Sequence, residues 1–69
     1  MISYKVFRHY LVEKDISKTY LYENVGISWN VITKLMKDEP VRLDVLVKIC
    51  THFDIPIEKV IEIKRSPSD

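Results

Sequence analysis

The chain has 69 residues, of which 46% are hydrophobic, with one Gly, one Cys and a formal net charge of +1. That length holds a single small domain, and the apolar content is too high for a disordered segment. A lone Cys excludes an internal disulfide framework, one Gly disfavours a turn-rich β fold, and no apolar run approaches the roughly 18 residues of a membrane span.

From the N-terminus, Ser3 has the side chain of a helix cap, and Phe7, Tyr10 and Leu11 form an apolar stripe at i, i+3 and i+4. A helix is therefore expected over residues 4–14, with Arg8, His9 and Glu13 facing water. Ser17 caps a second, short helix, Leu21 and Val25 mark its buried side, and Gly26 supplies the left-handed residue that ends it. Ser28 caps again, opening a third helix over 29–37 with Ile32, Leu35 and Met36 turned inward. Pro40 holds residues 38–41 in a loop.

The clearest amphipathic run is the fourth helix, Leu43–Phe53, where Leu43, Leu46, Val47, Cys50 and Phe53 recur at helical spacing and are assigned to the core. Pro56 suits the first turn of a fifth helix over 56–61, and residues 61–64 alternate apolar and polar as an extended segment does. Residues 1–64 are read as the domain and 65–69 as a flexible tail.

The most specific signal is the spacing around Gly26. Leu21 and Val25 bury one short helix, Gly26 makes the turn, Ile27 plugs the angle, and Ile32 and Leu35 bury the next helix. This leaves Ser28, Trp29, Asn30, Thr33 and Lys34 pointing outward, the positions by which a helix laid end-first in a major groove reaches base edges. The charge is distributed weakly in favour of the same region: residues 1–42 carry a balance of +2 and residues 43–69 a balance of −1.

On these features, and on the runs Met1-Ile2-Ser3-Tyr4-Lys5, Ser17-Lys18-Thr19-Tyr20-Leu21, Gly26-Ile27-Ser28, Lys34-Leu35-Met36-Lys37, Val41-Arg42-Leu43-Asp44-Val45-Leu46 and Lys48-Ile49-Cys50, residues 4–63 resemble the short Cro/repressor-type (Xre-like) helix-turn-helix regulators of bacteria and their mobile elements. The resemblance implies an all-α, five-helix domain whose second and third helices form the helix-turn-helix. It also implies a cytoplasmic homodimer that binds double-stranded DNA and represses or tunes transcription. Carried over residue by residue, Ser28, Trp29, Asn30, Thr33 and Lys34 become base-reading, and Lys18, Thr19, Lys37 and Arg42 phosphate-contacting. Arg42 stands where the family commonly has a capping Ser, which fits either a phosphate contact or a cap loss offset by Asp44. Asp38 and Glu39 place two acids beside the expected backbone-contact loop, where they would weaken DNA binding.

By elimination, Val60, Ile61 and Ile63 are the candidates for the dimer contact. Trp29 is the least ordinary residue of the reading face: it serves DNA contact, a protein partner, or surface packing on Tyr20 or a Lys. A near-neutral charge and an exposed Trp also fit a second reading, an antirepressor or antitoxin-like protein-interaction module on the same scaffold. Cys50 lies on an apolar stripe and reads as a small core residue. No cofactor, metal site or enzymatic activity is expected, since His9 and His52 lie on different helices and no catalytic set stands out.

Overall fold

A computed structural model describes residues 1–64, and the expected tail at 65–69 lies outside the described residues. In chain order the elements are β1 (Ile2–Ser3), α1 (Lys5–Glu13), α2 (Lys18–Tyr20), a π-helical turn (Leu21–Val25) that continues α2, α3 (Trp29–Met36), α4 (Leu43–Phe53), a 3₁₀ turn (Ile57–Lys59) and β2 (Glu62–Ile63).

Local sequence explains most helix boundaries. The Ser17 hydroxyl accepts from the Tyr20 N–H at 3.0 Å, and the Ser28 hydroxyl from the Val31 N–H at 3.3 Å, each satisfying one of the free donors of a helix start. The helix ends share one device. Asp15, Asp38 and Asp54 sit at φ of 58°, 59° and 55°, and Gly26 at 84°. In the left-handed region the chain reverses, and the next N–H reaches back to the helix: Ile16 to the Leu11 carbonyl, Glu39 to Lys34, Ile55 to Cys50, and Ile27 to Leu21. Asp is among the few residues besides Gly that visit this region.

Two expectations about the ends are corrected. Ser3 does not head α1: it lies in β1, almost fully buried, and Tyr4 occupies the cap position without a side-chain cap bond. The Ser3 hydroxyl still accepts from the Lys5 N–H at 3.2 Å. Among the described residues the fold has four α-helices rather than five, because residues after Pro56 make only a 3₁₀ turn before the chain straightens. That straight segment returns antiparallel to the N-terminus, pairing Ile2 with Ile63 and Ser3 with Glu62. The domain is thus mostly helical, with a two-residue ribbon closing it.

The core is formed by Tyr4, Phe7, Leu11, Leu21, Ile27, Ile32, Leu35, Val45, Leu46, Ile49 and Val60. Complete burial of a side chain of this size contributes about 1.5–3 kcal/mol. The stripe on α4 is turned from the expected one. Val45, Leu46 and Ile49 are buried and Cys50 and Phe53 half-buried, whereas Leu43 and Val47 are 67% and 57% exposed. Seven apolar residues in this helix cover a broad arc, so spacing alone allows either orientation. An aromatic cluster joins the layers: Tyr10 meets Phe53 edge-on at 5.7 Å between ring centroids, and Tyr20 packs on both Phe53 and His52. The Tyr20 hydroxyl and His52 Nε2 are hydrogen-bonded at 2.9 Å.

Candidate nucleic-acid interface

The turn between α2 and α3 begins in the π-helical turn, where the N–H groups of Gly26 and Ile27 both reach the Leu21 carbonyl. Gly26 takes the left-handed conformation and Ile27, 2% exposed, is buried in the angle. Ile32 and Leu35 anchor α3 from below. With those sides committed, Ser28, Trp29, Asn30, Thr33 and Lys34 all remain exposed, as the spacing requires.

Within this face the side chains are partly ordered by contacts inside the protein. The Thr33 hydroxyl donates to the Trp29 carbonyl at 3.0 Å. Trp29, 45% exposed, stacks on Tyr22 with ring centroids 5.3 Å apart and planes 20° from parallel. Its packing partner is therefore Tyr22, not Tyr20, which is held instead by Phe53 and His52.

The expected phosphate-contacting residues are exposed but dispersed. Lys18 and Thr19 open α2 directly after the Ser17 cap. Lys37 follows the last turn of α3, about 13.5 Å along the axis from Ser28 at 1.5 Å per residue. There it borders the same shallow depression as Lys64, a cation from β2's end that sequence spacing does not reveal. Arg42 precedes α4, 86% exposed, with its Nε 3.3 Å from the Asp44 carboxylate. That exposed pair contributes little to stability, and Arg42 makes no side-chain cap.

Asp38 does not stand as an unpaired acid beside the loop, whereas Glu39 remains exposed. The Asp38 carboxylate accepts from Arg8 Nη1 at 2.6 Å and from the Tyr4 N–H at 2.8 Å, and Arg8 Nη1 also donates to the Leu35 carbonyl at 3.0 Å. Arg8, expected in water, thus ties α1 to the last turn of α3. The Arg8 hydrogen bond, followed by that from Tyr4, holds the Asp38 carboxyl below the usual carboxylate range. Nearby, the buried Tyr4 hydroxyl donates to the Glu39 carbonyl at 2.8 Å, pinning the start of the loop to Arg42.

The remaining chemistry is plain. Burial, and then the nearby Glu58 carboxylate, push the Cys50 thiol up, so it is a poor nucleophile at neutral pH. Among the described residues no three His, Cys, Asp or Glu side chains are grouped to hold a metal, and no helix is long and apolar enough to cross a membrane. Val60 is fully buried against the core and is withdrawn as a dimer contact. Ile61 is half-buried and Ile63 84% exposed.

Comparison with known proteins agrees with this geometry. Residues 7–66 match the Cro/C1-type HTH DNA-binding domain family. A crystal structure of the transcriptional regulator VanUg is similar over 94% of this chain and 87% of its own, with 34% sequence identity and a TM-score of 0.85. None of the curated proteins matches. With the turn at Gly26, the two capped helices around it and a family match over nearly its whole length, the chain belongs to the Cro/C1-type helix-turn-helix DNA-binding domain family.

Proposed function

We propose that the protein is a sequence-specific regulator of transcription, acting as a repressor, that lays the N-terminal half of α3 in the major groove of duplex DNA. The observation that carries this reading is the exposed run Ser28, Trp29, Asn30, Thr33 and Lys34 on a helix whose opposite side, Ile32 and Leu35, is locked in the core. Asn30 has the paired donor and acceptor that match adenine, and Lys34 the donor that matches guanine. Lys18, Thr19, Lys37 and Arg42 hold the backbone on either side. The protein works as a homodimer, with two α3 helices about 34 Å apart to meet successive grooves, joined through Ile63 and Ile61.

The test is titration of the protein against duplexes selected from a random pool, at two salt concentrations. Asn30→Ala and Lys34→Ala each weaken the selected site by about 1–3 kcal/mol and leave random duplex nearly unchanged. Lys18→Ala and Lys37→Ala weaken every duplex and flatten the salt slope. Binding that ignores sequence and all four substitutions refutes the reading. A protein-interaction module on the same scaffold is the second reading, favoured by the half-exposed Trp29 and Tyr22 rings.

A further inference from the structure

Tyr22 lies outside the set of residues that spacing assigns to the reading face, yet it is the residue that holds Trp29. The rings come from different elements, the π-helical turn and the first position of α3, and stack 5.3 Å apart. Both remain half in water, at 48% and 45% exposure, so the stack orders the Trp without hiding it. A free Trp side chain loses rotamer freedom on binding, whereas a stacked one has already lost it on folding. One turn further along the same face, Thr33 has spent its hydroxyl proton on the Trp29 carbonyl, so it has no donor to offer a base edge but keeps its methyl and an acceptor oxygen. The leading edge of α3 therefore combines a fixed aromatic wall with a methyl at i+4, beside the polar Asn30 and Lys34.

Among base edges in the major groove, the feature that matches an apolar wall is the 5-methyl group of a pyrimidine. Thymine carries it, and 5-methylcytosine carries the same group at the same place. We propose that Tyr22 is a positioning residue that fixes Trp29, and that Trp29 with Thr33 selects duplex sites presenting a pyrimidine 5-methyl group. This rests on the reading of α3 as the groove-entering helix.

The experiment takes the full chain and the duplex it selects from a random pool. Each thymine is replaced in turn by uracil, which removes only the methyl. At one or two positions the replacement weakens binding about fourfold, the worth of one buried methyl. At those positions cytosine is then compared with 5-methylcytosine, and methylation strengthens binding by a similar factor if the methyl alone is read. If 5-methylcytosine gains nothing over cytosine, the methyl is read only within a thymine–adenine pair and the claim for pyrimidine 5-methyl groups in general falls. Tyr22→Ala and Tyr22→Leu bring the thymine-to-uracil ratio close to one, and Tyr22→Phe keeps it. A native ratio of one at every position overturns the inference and leaves the DNA reading standing. So does a Tyr22→Ala loss that is equal on thymine and uracil duplexes, which marks a merely structural role. Failure to select any duplex overturns the DNA reading itself, and the aromatic pair is then a protein contact.

Discussion

At the scale of single residues, the left-handed helix ends set the clearest energetic test. Asp54 is exposed, stands at φ 55° and carries negative charge at the C-terminal end of α4, where the helix dipole is already negative. Asp54→Gly removes both costs and stabilises the fold by about 0.5–1 kcal/mol, read as a Tm rise of roughly 2–8 °C. Gly26 gives the reverse case. A Cβ there meets nothing within 4 Å, so the cost of Gly26→Ala is conformational alone, about 1–2 kcal/mol by chemical denaturation. Gly26→Asp costs less, because Asp already adopts this conformation at three other helix ends. Gly26 was legible in the sequence because a glycine between two capped helices has one obvious use. The three Asp residues were not, since Asp is equally at home in any loop.

At the scale of elements, the junction of α1 with the end of α3 rests on Arg8, Asp38 and Tyr4. Asp38 is held ionised below the usual carboxylate range, so its folded pKa lies below its unfolded one. Such a group contributes stability that is complete above the ordinary carboxylate pKa and is lost as pH falls through the lowered value. Thermal melts should therefore show the protein losing stability on acidification through and below the ordinary carboxylate range. Asp38→Asn should be less stable at neutral pH and show a shallower acid dependence; an unchanged acid slope would remove Asp38 from the account. Nothing in the spacing foretells this pairing, because Arg8 and Asp38 lie 30 residues apart and each reads locally as a solvated charge. The helices themselves were legible to within a residue or two, and α4 to the residue, since caps and apolar periodicity act within one or two turns.

At the scale of the whole molecule, the ribbon of β1 and β2 closes the domain and decides which apolar residues remain for a partner. It carries Val60 into the core and leaves Ile63 84% exposed. If the homodimer forms through this end, Ile63→Asp shifts sedimentation equilibrium toward monomer and weakens binding to a two-fold site far more than to a half-site. An unchanged association constant moves the contact elsewhere, and the exposed Leu43 and Val47 of α4 are then the next apolar surface to probe. A domain of this size gains stability from such an interface, so Ile63→Asp also lowers Tm in a concentration-dependent way.

Sequence alone determined the register of the helix-turn-helix. The caps at Ser17 and Ser28, the reversal at Gly26 and the buried Leu21, Ile27, Ile32 and Leu35 are all dictated by interactions within a few residues, and together they leave Ser28, Trp29, Asn30, Thr33 and Lys34 outside. Only the tertiary structure decided which arc of α4 is buried, where Val60 goes, what Asp38 binds and what Trp29 rests on. Each of those depends on a partner brought from another element. A helix with seven apolar positions has more than one admissible inner face, and an aromatic ring beside a turn has more than one neighbour within reach. The packing of distant segments makes those choices, and the Tyr22–Trp29 stack is the one that bears most directly on the proposed reading face.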